Sequence, residues 1–289
     1  ADFVDHLLHP ATAPFPLAEA ARAREHLTSA GYAGCPTWTA LQAGVRPPQE
    51  RDSESEPGEF AHGWQFYAAS RIETTHRDRC LRLASPASSA MLRSQSGPGS
   101  ACHLIAIPTC SDLEVDNSVF GGFLLRRLRL PLPFTSSRCN GRTCRATLDA
   151  FGDHRISCSR SGRLQRRAIP IERMLARVFR EAGARFRTNV LVRDLNAAGP
   201  DLRDHRQIEV IAEGLPLYHG RQLVIDATLV SPLTAAGLPA HGSHLRDGTA
   251  IDQAIRRKQR TYADLLDQHR CRLVVAAIET GGRLSLIHI

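Results

Sequence analysis

Gln222–Val230, QLVIDATLV, is the stretch on which the reading of the fold turns. Leu223, Val224 and Ile225 form an apolar run of strand length, and Asp226 stands at its end. A carboxylate on a buried strand is costly to desolvate unless it is paired or holds a metal. Upstream, Phe186–Val192 and Gln207–Ala212 have the same strand-like texture, and Glu209 lies in the second of them. Before these comes Pro170–Gly183, PIERMLARVFREAG, with proline in its first turn, glycine at its end and Leu175, Val178 and Phe179 as an apolar stripe, so an amphipathic helix is expected. Downstream, a helical pattern from about Thr249 to His269 leads into a strand at Arg272–Glu279. Helix, three strands, helix and strand predict an α/β domain with a mixed central sheet flanked by helices.

The residues toward the N-terminus read differently. Helical periodicity covers residues 15–30, and Thr37 is a plausible N-cap for a second helix. The charged, proline-rich segment 46–60 reads as a linker or exposed loop. A long helix is expected from about His62 to Arg93, broken by SQSGPGSA (94–101), and another over Val119–Leu130. These make residues 1–135 a mainly helical region. No internal repeat and no phosphate-binding glycine loop, nucleophile elbow or dinucleotide fingerprint is present.

Hydrophobic residues make up 42% and charged residues 23% of the 289, an ordinary globular balance. The longest apolar runs, such as Leu273–Ile278, are strand-sized, so no membrane partner is expected. The first residues, ADFVDHLLHP, lack an initiator methionine and a signal pattern, and the chain reads as an internal fragment of a longer polypeptide. Net charge is +8; of 37 Lys+Arg residues one is Lys258, leaving 36 arginines. Arginine forks onto phosphates, which favours a nucleic-acid partner, although a GC-rich coding bias produces the same ratio. Eight cysteines are too dilute for a disulfide scaffold, which fits a reducing, intracellular setting. Cys35, Cys80, Cys102, Cys110 and Cys271 have no ligand-like spacing and are expected as small buried side chains.

The remaining three cysteines share the segment CNGRTCRATLDAFGDHRISC (139–158) with a histidine. Cys139-x4-Cys144-x9-His154-x3-Cys158 supplies four ligands of the kinds tetrahedral Zn²⁺ prefers, with Gly141 and Gly152 beside the ligand pairs. Four such residues within one short segment outweigh the alternative of incidental thiols and a surface histidine. A small zinc knuckle over 136–160 is therefore expected. A second constellation is Glu209 with Asp226, two acids on neighbouring strands that could take Mg²⁺, and Lys258 with Tyr262, spaced i, i+4 on the following helix. The plain alternative for these is a salt-bridged acid beneath a solvated helix face.

Taken in order, GDHRISC, the basic RLQRR, IERMLARVFREAGA, HRQIEV, LVIDATLVSP, RRKQRTY and AAIETGGR resemble the C-terminal part of non-LTR retrotransposon polyproteins. In that family a CCHC zinc knuckle follows the reverse transcriptase and precedes a restriction-like endonuclease of the PD-(D/E)xK class. The resemblance covers roughly residues 95–283 and implies an endonuclease domain over 161–283. It implies structural Zn²⁺ on Cys139, Cys144, His154 and Cys158, and catalytic Mg²⁺ on Glu209 and Asp226. Lys258 would stabilise developing charge, Tyr262 would orient it, and Glu279 fits the family's later strand. Arg163, Arg166 and Arg167 become candidate phosphate contacts. The implied partners are DNA or RNA and an upstream reverse transcriptase region, and the implied setting is nuclear. The sequence departs from the pattern at Gln207-Ile208-Glu209, where a Pro-Asp pair is usual, at Thr228, where a strand lysine is usual, and in the wider Cys139–Cys144 spacing. A non-catalytic, zinc-dependent DNA- or RNA-binding relic of the same element is the second reading, and a structural or protein-interaction domain the third. The apolar tail 284–289, LSLIHI, reads as an artefact of sequencing or assembly.

Overall fold

The computed structural model describes residues 15–32, 34–45, 64–97, 99–109, 111, 114–133, 137–141, 143–195, 203–266 and 270–285. The chain divides into two compact units, residues 1–83 and 84–289. The expected divisions at 135 and 160 fall inside the second.

The first unit is helical among its described residues: α1 (Phe15–Ser29), α2 (Trp38–Gln42) and α3 (Trp64–Leu83). Thr37 caps α2 as expected, its hydroxyl accepting from the Ala40 amide at 3.1 Å. Buried Tyr32 meets Tyr67 edge-on, with ring centroids 6.0 Å apart. The linker-like segment 46–60 lies outside the described residues.

The single helix expected over 62–93 is two. α3 stops at Leu83, and α4 (Pro86–Ser94) begins at Ser85, whose side chain accepts from the Ser88 amide. The cause is Ser85-Pro86. A residue before proline is pushed out of the helical region (Ser85 ψ is 157°), while proline suits a first helical turn.

The second unit continues with α5 (Cys102–Ile105), α6 (Asn117–Arg127), α7 (Asp153–Ser157) and α8 (Arg163–Glu181). Then come β1 (Arg185–Leu191), β2 (Gln207–Glu213), β3 (Gln222–Val230), α9 (Thr249–Thr261), α10 (Ala263–Leu266) and β4 (Cys271–Glu279). The sheet order is β1-β2-β3-β4, with β1/β2 and β2/β3 antiparallel and β3/β4 parallel. This is the mixed α/β sheet that the strand runs predict.

Strand alternation divides the core. Val210, Ala212, Leu223 and Ile225 pack with Leu175 and Phe179 of α8. Ile211, Val224, Leu273 and Val275 pack with Ile251, Tyr262 and Leu265 from the α9–α10 side. Val210 pairs with Ile225 and Ile211 with Val224, so one step further along that register Glu209 stands across from Asp226. Both acids belong to the α9 face.

Several local expectations change. α8 starts seven residues before Pro170 and runs through it, beginning at Gly162 in a left-handed conformation (φ 68°). Pro170 removes one amide from the ladder without ending the helix. Of the expected stripe, Leu175 and Phe179 pack inward but Val178 is exposed, and buried Ala176 takes its place, so the inward set is i, i+1, i+4. The helix expected over 249–269 breaks at Tyr262. Cys271 is buried as expected, whereas Cys80 and Cys102 are exposed and Cys35 is half-buried. Cys80 lies on a solvent-facing stretch of α3 and Cys102 opens the single turn of α5, so neither meets a core. Cys110 lies outside the described residues, as do residues 286–289 of the tail. The tail's first two residues extend the sheet: Leu284 bridges Ile278, and the Ser285 amide donates to Ala277 O at 3.0 Å. Among the described residues no helix is long and apolar enough to cross a membrane.

Candidate metal centre and acid–lysine site

The four residues singled out at 139–158 converge. Sγ of Cys139, Cys144 and Cys158 and a ring nitrogen of His154 all lie within 4.8 Å of one another. Cys139 and Cys158 Sγ are 3.8 Å apart, and Cys144 Sγ is 3.3 Å from His154 Nε2. A tetrahedral ion with metal–sulfur bonds of about 2.3 Å holds its sulfurs about 3.8 Å apart. Three thiols and one imidazole at this spacing can hold a metal such as zinc.

The protein also prepares the ligands electronically. His154 Nδ1 is 2.7 Å from Ala235 O, a bond that requires the proton on Nδ1 and leaves the Nε2 lone pair toward the thiols. Burial works to raise the Cys158 thiol, but contacts from Cys144 and Cys139 and the amides of Arg160 and Ser161 outweigh it and bring it down to about 7. Burial pushes Cys139 up.

The two glycines serve for different reasons. Gly152 has φ of 70°, whereas a Cβ on Gly141 would come within 3.2 Å of the Arg160 backbone. Asp149 organises the turn into α7. Its Oδ1 accepts from the Phe151 and Asp153 amides at 3.0 and 2.9 Å, and its Oδ2 from His154 N at 2.7 Å. Burial tends to raise this carboxyl, yet those amides hold it below the usual range. Buried Asp153 is gripped by the Arg129 fork at 2.7 and 2.8 Å, and Arg129 also stacks on Phe151 with its guanidinium 4.5 Å from the ring centroid.

The second constellation also assembles. Asp226 is fully buried, and its Oδ1 accepts from Lys258 Nζ at 2.8 Å while Oδ2 accepts from Thr228 Oγ1 at 3.1 Å. Thr228 thus occupies the place where a strand lysine was looked for, and the lysine arrives from α9. Glu209 comes within hydrogen-bonding reach of Asp226, but its buried Oε2 has no partner. Burial first, and then the approach and charge of Asp226, push Glu209 up to about 8. Tyr262 makes its hydrogen bond elsewhere, donating to Gln207 O at 2.9 Å, with Lys258 Nζ 5.8 Å from its ring centroid. Glu279 does not join this pair. It lies at the far end of β4, pushed up to about 7 chiefly by burial, with Arg283 Nε 3.8 Å from its Oε2.

Raised carboxyls have a measurable consequence. Between its ordinary value of 4.5 and its folded value of about 8, Glu209 binds more protons in the folded chain than in the unfolded one. That contribution to stability is complete below the lower value and is lost as pH rises through the upper one. Glu209→Gln is therefore expected to melt several degrees above the parent near pH ~9 without divalent cations, and close to it near pH ~5. Equal melting temperatures at both values would contradict the assignment.

Arg163, Arg166 and Arg167 share one face of α8, spaced i, i+3, i+4. With Arg160, Asn140 and Gly141 they line a cleft of about 650 Å³ against the Cys–His segment, and among the described residues no acidic side chain borders it. A smaller cavity of about 110 Å³ beside it adds Arg138 and Arg155.

No family model, curated protein or solved structure matches the chain.

Some of the site was missed in sequence. Asp149 had a readable signal, a short acid before the Gly152–Asp153 helix start. Ala235, which acts through its carbonyl, and Arg129, which approaches from before the segment, had none.

Proposed function

We propose that residues 84–285 are a nucleic-acid-binding unit in which a Zn²⁺ knuckle accompanies a Mg²⁺-dependent, DNA-nicking endonuclease site of the restriction-like kind found in non-LTR retrotransposon polyproteins. The observation that carries this reading is the meeting of Glu209, Asp226 and Lys258 at one cross-strand position. The order α8-β1-β2-β3-α9-β4 around a mixed sheet agrees with what such a fold requires.

Two carboxylates, one with an orphaned buried oxygen, suit a hard divalent cation. Mg²⁺ held by Glu209 and Asp226 would activate water and offset the charge of a phosphodiester under attack. Lys258 pairs with Asp226 and sets a positive charge beside the two acids, where it would neutralise charge gathering on the phosphate oxygens. Tyr262 braces α9 against β2 through Gln207 O, which holds Lys258 over the acids. Zn²⁺ on Cys139, Cys144, His154 and Cys158 would fix the knuckle and, with it, one wall of the arginine cleft.

The arginine cleft is suited to the sugar–phosphate backbone and carries no base specificity of its own. Replacing Arg163, Arg166 and Arg167 together by alanine is expected to weaken DNA binding uniformly across sequences. The slope of log affinity against log salt should fall by about 1 per lost phosphate contact. An unchanged slope in fluorescence anisotropy titrations would remove the cleft from the interface.

Conversion of supercoiled plasmid to nicked circle tests the function itself. Nicking with Mg²⁺ supports the enzyme, and binding without nicking at any divalent concentration leaves a nucleic-acid-binding platform.

A further inference from the structure

The Cys–His segment, expected as a small knuckle ahead of the endonuclease domain, is built into the α/β unit at one particular place. His154 Nδ1 bonds Ala235 O at 2.7 Å, and Ile156, between two of the ligands, packs with Leu233, Met91 and Ala90. Leu233 and Ala235 belong to the connection 231–248, which leaves β3 after Asp226 and enters α9 ahead of Lys258.

That connection is internally tied, so a grip at one point is transmitted along it. Leu233 bridges Pro239, the Ala240 amide donates to Pro232 O at 2.7 Å, and Ser243 Oγ donates to Pro232 O at 2.7 Å. Its far end is held as well. Arg93 and Arg283 clasp Asp247 at 2.7 and 2.9 Å, just before Gly248 starts α9 at φ 72°. Gln253, in the first turns of α9, donates back to His241 O at 2.8 Å.

We propose that the Cys–His metal centre, acting through the His154–Ala235 bond, fixes the β3–α9 connection and thereby sets Lys258 against Asp226. His154 is then a positioning residue for the acid–lysine site as well as a metal ligand. The importance of that site rests on the endonuclease reading, but the physical coupling does not. Without an ion the four ligands have no common partner, the α7 turn loosens, and the bond to Ala235 goes with it. The connection then opens locally at its Ala235 end, and the start of α9 is left held through Asp247 alone.

Lys258 is the only lysine of the chain, so an amine-acylating reagent followed by peptide mass spectrometry reads this one side chain directly. Ion-paired to Asp226 and 24% exposed, it should react slowly in the metal-loaded chain. Stripping the metal with a zinc-selective chelator is expected to raise the acylation rate about tenfold and to deprotect the amides of 231–248 in hydrogen exchange. His154→Cys separates the two roles of this residue. It keeps four metal ligands but removes the Nδ1 donor, so it should retain one bound metal and still show the faster acylation.

Parental acylation and protection after metal removal would overturn the proposal. So would parental values in a metal-loaded His154→Cys chain. If that variant does not fold, the chelated parent chain decides. Faster acylation in a parent chain that never nicks DNA upholds the coupling while the endonuclease reading falls.

Discussion

Cys158→Ser is expected to abolish metal binding, taking the chain from one zinc per molecule to none by elemental analysis. Cys158 Sγ sits 3.8 Å from Cys139 Sγ, and its neighbours bring its thiol down to about 7. A structural zinc in a small site contributes folding free energy on the order of 10 kcal/mol, so its loss should unfold the segment locally. Hydrogen exchange should show the amides of 137–162 reaching near-complete exchange while β2 and β3 stay protected. Cys139→Ser should act in the same direction, because Cys139 stands as close to Cys158 as a tetrahedral edge requires. Its spacing from Cys144 is wider than the family pattern. Cys80→Ser and Cys102→Ser, at exposed positions and not among the four ligands, should leave the stoichiometry unchanged. Retention of a full zinc equivalent by Cys158→Ser would refute the four-ligand centre.

Asp226→Asn should be the most damaging change to nicking. A metal-bound carboxylate supports several kcal/mol of transition-state charge stabilisation, so the rate should fall by ~10³-fold or more. DNA affinity should be nearly unaffected, since Asp226 is fully buried and lies outside the arginine cleft. Lys258→Met removes the charge but keeps most of the side-chain length, and nicking should fall by about 10²–10³-fold. Lys258→Arg should recover little. A planar guanidinium carries its charge in a different geometry from the ammonium that reaches Asp226 Oδ1 at 2.8 Å. An Asp226→Asn enzyme that nicks at the parental rate would show that cleavage arises elsewhere.

The strands and the acid pair were legible because both come from local pattern. Apolar runs bounded by turn residues set β2 to β4, and an acid on a buried strand flags itself. Lys258 was legible through its i, i+4 relation to Tyr262, although its direct contact with Asp226 depends on where α9 lies over the sheet. The four metal ligands were legible because they fall within one short segment.

What escaped depends on distance or on the backbone. The Ala235 carbonyl lies 81 residues from His154, and a main-chain acceptor leaves no mark in the sequence. Val178 was placed on the inward face because it is apolar and stands i+3 from Leu175, whereas the helix turns the side of Leu175 that carries Ala176 toward the sheet. The break at Ser85 was visible as Ser-Pro, but an arginine- and alanine-rich helical texture on both sides concealed it.

An endonuclease site here requires that Glu209 and Asp226 take up a divalent cation together. Titration of the zinc-loaded chain with Mn²⁺, followed by electron paramagnetic resonance near pH ~8, should show one bound ion per molecule that Mg²⁺ displaces and that Glu209→Gln and Asp226→Asn both lose. No uptake by the parent chain, or uptake that survives both substitutions, would contradict it.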